Sequence, residues 1–335
     1  MSAVGATARA AGGRATLRRA ANRHGWTVGV YVLLAALVAY WTTVPARFGS
    51  FDVQTLAIDA LPLAFVAIGQ AIVVLSGGID LSVGSLISLM NALSARFMVS
   101  MSTREAILFA LLLVLASIAA GAVTGGLIVL TRVPDIIATL AMLFVWAGVA
   151  LVVLEVPGGG APLGYVKLGS GYTLSPWLPT GLVILVATVA LVWLPLRWRR
   201  PGLALYAIGS NRPRAHLSGV PVSLARVGAY ALGGGFAGLA GLTLTATSGV
   251  GDPLSGQYYT LNSVAAVVLG GVSLLGGVGG VAGPIAAAFI LTLVKTLMIL
   301  QGVDQNYAQV FQGTLIILVV MVGGLALRQK GKSGT

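Results

Sequence analysis

In a chain of 335 residues, 57% hydrophobic and 8% charged leave too little charge to cover a soluble surface, since ordinary soluble domains are about a quarter charged. Twenty basic against eight acidic residues give a net charge of +12, and the absence of cysteine excludes a disulfide framework, cysteine-ligated zinc and thiol catalysis. Such a charge would suggest nucleic acid in a soluble protein. Here the bases cluster beside apolar runs, as in loops that face anionic lipid headgroups, so membrane lipid is the expected partner and nucleic acid is not.

Residues 1–25 carry Arg9, Arg14, Arg18, Arg19 and Arg23 without apolar periodicity and read as a basic cytoplasmic tail. The apolar stretch from Trp26 to Val44 exceeds the about 7–15 residues of a signal-peptide core, so it reads as a retained first span. A hydrocarbon core about 30 Å thick needs about 20 apolar residues per helix. On that measure the sequence predicts an all-α, polytopic transmembrane helical bundle of about ten spans, over 26–44, 54–75, 84–99, 105–130, 135–155, 177–195, 224–248, 261–275, 284–300 and 308–327. The third, eighth and ninth are short or glycine-broken. Residues 26–327 then form one transmembrane domain with a cytoplasmic loop at 196–226, and 328–335 form a second cytoplasmic tail. With the N-terminus inside, fifteen of the twenty bases fall on the cytoplasmic side and only Arg47, Arg104 and Lys167 outside, while Arg96 and Lys295 lie within or at the ends of spans. This asymmetry, and the even number of spans, predict that both termini are cytoplasmic. Gly121 with Gly125, and Gly234 with Gly238, fit the small-xxx-small pattern of close helix packing.

The stretch Gly69 to Asn91 is apolar but interrupted by Gly77 and Gly78, then by Asp80, Ser82 and Gly84. Two glycines let the backbone leave the helix, and Asp80 or Ser82 can cap the next helix by accepting from its free amides. Broken helices inside membranes mark positions surrounded by protein or by a water-filled path. Two readings of Asp80 stand at this point: a cap in a tight turn, or direct contact with a ligand. Gly276, Gly277 and Gly283 repeat the spacing of Gly77, Gly78 and Gly84 at a constant offset of 199 residues, which suggests two related halves around one pathway.

The loop Leu196 to Arg226 holds a short apolar centre, Leu203 to Ile208, followed by Asn211, Arg212, Arg214 and His216. A short surface helix there can dock into a partner and pass force to the spans it joins, or the loop can serve only as a topology signal. Lys295 is costly at membrane depth and must be paired, snorkelling or lining water; it is the one charged pathway candidate. Asp59 and Arg96 fall near outer span ends and read as snorkelling groups. The terminal Gly331 to Ser333 has no first P-loop glycine and no following helix, Gly277-x-Gly279-x-x-Ala282 lacks a βαβ context, and His24 and His216 are far apart. No catalytic residue, metal or cofactor is expected.

Four stretches resemble the ribose-type permeases of bacterial ABC importers for sugars. Ser76 to Ser85 (SGGIDLSVGS) is similar to that family's signature, and Val133-Pro134 with Ile137 to Leu140 is similar to its VPxFIxTLG segment. Ala207, Ile208, Gly209, Asn211, Ala215, Leu217, Ser218 and Gly219 match its AIG-N-A-LSG loop, and Ala265 to Gly277 its AAVVIGGTSLFGG segment. The resemblance implies that the loop couples to an ATPase. Arg212 and Pro213 depart from small or acidic residues of the family, and Asp135 from an uncharged one.

The resemblance implies a non-catalytic permease subunit of the cell inner membrane that moves a sugar, polyol or nucleoside by alternating access. Its expected partners are a cytoplasmic ATPase subunit, an extracytoplasmic sugar-binding protein and a second permease copy. The alternative is an ion-coupled secondary transporter, which usually needs membrane carboxylates; only Asp59 and Asp80 lie near first-half spans, with Asp135 and Glu155 at predicted ends.

Overall fold

A computed structural model describes residues 25–314 together with 317, 318 and 321; the expected tails lie outside them, apart from Gly25, which opens the first helix. The described residues are helices and connections, with isolated β-bridges at Gly158 with Gly251 and Tyr172 with Pro179. In order they are α1 (Gly25–Trp41), α2 (Ser50–Leu75), α3 (Val83–Phe97), α4 (Thr103–Thr131), α5 (Asp135–Val153), α6 (Leu163–Ser170), α7 (Thr180–Thr188), α8 (Leu194–Trp198), α9 (Arg200–Ser210), α10 (Arg212–Leu217), α11 (Val222–Ser248), α12 (Gln257–Leu269), α13 (Ala282–Leu300) and α14 (305–314). A π-helical turn, Val189–Trp193, runs α7 into α8.

Seven of these segments are long and apolar enough to cross a membrane: α2, α3 with its 3₁₀ extension to Ser100, α4, α5, α7 through α8, α11 and α13. The molecule is a helical membrane bundle. Each of the ten predicted stretches overlaps a described helix, but α1 with 17 residues and α12 with 13 are shorter than a full span, α12 ends at Leu269 where the eighth stretch was expected to run to 275, and the tenth stretch lies partly outside the described residues. The ninth stretch, expected to be short, is a full 19-residue helix because Pro284 stands in its first turn, where a missing N–H costs nothing. Helix α6, in the stretch 156–176 between the fifth and sixth predicted spans, packs on α11, and the Tyr165 hydroxyl donates to the Leu242 carbonyl at 3.2 Å.

The layering follows burial. The apolar windows are 89% buried in α2 and 61% in α11, against 22% in α4 and α5 and 17% in α7 through α8. The outer helices carry exposed Leu, Ile and Val, such as Leu111, Leu115 and Val152, which suit lipid rather than water. Glycine sets the closest crossing. A Cβ on Gly234 would stand 2.9 Å from Gly121 Cα, and one on Gly125 2.9 Å from Tyr230 Cβ, so the two small-xxx-small patterns face each other across α4 and α11.

The connections sort into two ends. Residues 76–82, 132–134, 199–221 and 270–281 meet at one end, where Trp26 of α1 also donates to the Leu269 carbonyl at 2.8 Å. Residues 154–162 and 249–256 meet at the other, through paired hydrogen bonds of 2.9 Å between Gly158 and Gly251. Arg132, Arg199, Arg212 and Arg214 lie at the first, basic end, where the sequence reading grouped them.

Candidate functional site

At the basic end the two glycine breaks touch. Helix α2 stops at Leu75, and Gly77 turns the chain with φ +77°; α12 stops at Leu269, and Gly276 and Gly277 have φ +86° and +69°. Only glycine adopts such angles without strain. The Gly277 N–H donates to the Leu75 carbonyl at 3.0 Å, and a Cβ on Gly276 would stand 2.9 Å from Gly77. The equally spaced Gly84 and Gly283 pack elsewhere. Gly84 faces Thr260 and Gly256, and Gly283 faces the Gly270 backbone.

Asp80 is only 2% exposed and accepts from the Ser82 N–H at 2.8 Å and the Ser82 hydroxyl at 2.6 Å. It closes the turn ahead of α3. Ser82 occupies the N-cap position with helical backbone angles and no capping bond from its side chain, so of the two expected caps it is Asp80 that accepts an amide, in the turn just ahead of the helix.

The cytoplasmic-loop candidates form two helices rather than one surface helix. Pro213, at the start of α10, cannot continue α9, and the extended Asn211 between them accepts from the Arg214 N–H at 2.9 Å. Ile208 and Ala215 are buried, and Gly209 lies against the breaks: a Cβ there would overlap the Leu75 carbonyl and stand 3.1 Å from Gly277 Cα. Tyr206 donates to the Gly279 carbonyl at 3.0 Å. Ala207 is half-buried, whereas Asn211, Leu217, Ser218 and Gly219 face outward, with Leu217 86% exposed.

The two departures singled out separately in the sequence, Arg212 and Asp135, meet here. Arg212 donates to the Gly77 carbonyl at 2.7 Å and stands 3.9 Å from the Asp135 carboxylate. Asp135 also pairs with Arg226 and accepts from the Tyr230 hydroxyl at 2.8 Å. Gly78 leaves room for this cluster, since a Cβ there would stand 2.6 Å from the Tyr230 hydroxyl and 2.7 Å from Asp135 Oδ2. Arg226 and Tyr230 escaped the sequence reading. Their positions in α11, 91 and 95 residues from Asp135, carry no local signal.

Lys295 lies apart from the breaks. It lines a polar cavity of about 490 Å³ among α2, α11, α12, α13 and α14, with Asp59, Tyr258, Gln305, Gln309 and Gln312. Its ammonium lies 5.3 Å from the centre of the Tyr258 ring, a cation–π distance. Tyr258 donates to Gln312 at 3.0 Å, and Gln312 donates to Asn262 at 3.0 Å. Asp59 therefore faces a cavity shared with Lys295, where the sequence suggested only snorkelling.

The chain matches the model of the family described as branched-chain amino acid transport system, permease component, over residues 52–320. This chain belongs to that permease family. Among curated relatives, the permease is 33% identical to the ribose import permease protein of Escherichia coli over 303 residues, 87% of this chain and 91% of the relative. It is 34% identical to the ribose import permease protein of Bacillus subtilis over 260 residues, 77% and 80% of the two chains. It is 27% identical to an autoinducer 2 import system permease protein of Escherichia coli over 317 residues, 92% and 94% of the two. No solved structure matches the permease.

Proposed function

We propose that this permease is the membrane subunit of an ATP-driven importer of a monosaccharide or a related polyol or nucleoside, in the cell inner membrane. Two permease copies enclose the path. A cytoplasmic ATPase subunit engages the outward face of α9 and α10, and an extracytoplasmic sugar-binding protein delivers the ligand to the opposite end. The relatives' names support a sugar-like ligand, and the excess of arginine at the α9–α10 end supports placing that end in the cytoplasm.

The observation that carries the reading is the seat of α9 and α10. Their inner residues, Gly209 and Arg212, touch both chain breaks, while Leu217 and Ser218 stand free on the outside. A push or pull on that outer surface reaches Leu75, Gly77 and Gly277 through direct contacts, and positive-φ glycines are positions where backbone can swing at low steric cost. Reconstituted vesicles test this. Uptake of labelled sugars that requires the ATPase, the binding protein and ATP is expected; uptake by the permease alone under an ion gradient would establish a secondary transporter instead.

A further inference from the structure

We propose that the polar cavity is a receiving site for a neutral, polyhydroxylated ligand, held by Asp59, Gln305, Gln309 and Lys295; the choice of ligand rests on the importer reading. The cavity lies beside the end opposite α9 and α10. Tyr258 lies in the first turn of α12, Gln305 opens α14, and Thr247, which also lines the cavity, lies in the last turn of α11.

Hydrogen-bond capacity identifies the ligand. Tyr258 and Gln312 satisfy one another, and Gln312 also satisfies Asn262. Asp59, Gln305, Gln309 and Lys295 line the same cavity without a hydrogen bond to another described residue; Lys295 is half-buried and the other three are open to solvent, so all four are free to meet a ligand. They present a carboxylate acceptor, an ammonium donor and two amides that both donate and accept. Carbohydrate hydroxyls also do both, so they can use each of these groups. One Asp and one Lys leave the wall without net formal charge, so a net-charged ligand gains from one group what it loses to the other. A zwitterion could address both charges, but it brings only two polar groups, whereas the several hydroxyls of a polyol can reach all four side chains. The volume of about 490 Å³ lies in the range of small-molecule sites.

The cysteine-free chain supplies the test. Gln309→Cys, with Thr247→Cys as a second reporter at the cavity, is introduced into the full permease in vesicles and modified with a charged thiol reagent. A panel of ribose, glucose and xylitol is compared with leucine, and Leu217→Cys on the far face serves as control. At least one neutral polyol should slow modification of both cavity cysteines about fivefold, leaving Leu217→Cys unchanged, and Asp59→Asn should raise the protecting concentration about fivefold. Protection by leucine alone, by no compound, or undiminished by Asp59→Asn overturns the site. Uptake by the complex with ATPase and binding protein is measured in parallel. Sugar uptake without protection removes the site and leaves the importer; protection without ATP-dependent uptake retains the site and removes the importer.

Discussion

Asp135 shows how a single carboxylate becomes structural. Its partner Arg226 has 13% of its side chain exposed and Asp135 has 15%, so neither charge can turn to bulk water if the other is lost. Asp135→Ala and Arg226→Ala should each lower stability by about 2–4 kcal/mol, and the double variant should recover about 1–3 kcal/mol of the summed loss. Thermal unfolding of the four proteins in detergent checks this; additive losses would deny the pairing. Arg212 is different. Its side chain is 40% exposed and its ionic contact is longer, so Arg212→Ala should cost stability only about 0–1 kcal/mol. Loss of its bond to the Gly77 carbonyl should instead reduce transport per ATP hydrolysed, read from uptake and phosphate release in the same vesicles. The sequence marked Asp135 and Arg212 as unusual, but it offered no means of pairing residues 77 positions apart.

Among the elements, glycine positions separate into those that carry an approach and those that do not. Gly121 and Gly234 meet backbone to backbone between α4 and α11, whereas a Cβ on Gly126 meets nothing within 4 Å. Gly121→Leu should cost about 1–3 kcal/mol through overpacking, and Gly126→Leu close to nothing, by the same thermal measurement. Gly209 joins α9 to the breaks, where a Cβ would overlap the Leu75 carbonyl. Gly209→Ala should fold and assemble but lose more than about tenfold in ATP-driven uptake; unchanged uptake would show that the α9 seat does not transmit motion. The breaks themselves were legible, because paired glycines and the following Asp80 and Ser82 are local signals. The division into α9 and α10 was also written locally, in Asn211 and Pro213, yet the single apolar centre concealed it. Helix α6 was missed because eight residues are too few to show apolar periodicity.

Across the whole molecule, the two ends predict a sided accessibility pattern. Single cysteines replacing Arg132 and Leu217 should react with an impermeant thiol reagent from the cytoplasmic face, and those replacing Arg47 and Trp177 from the opposite face, in oriented vesicles. A mixed pattern would overturn the orientation. Composition and hydropathy suffice for a multi-pass helical membrane protein, for the approximate positions of the seven membrane-length helices and for the two breaks, because each depends on neighbours within one or two helical turns. The meeting of Gly77 with Gly276, the Asp135 cluster and the cavity shared by Asp59 and Lys295 depend on packing between residues 77 to 236 positions apart. In a chain whose spans are nearly uniform in hydropathy, many helix arrangements bury similar apolar surface. Small-residue contacts and a few polar pairs select among them, and those become visible only once the helices stand side by side.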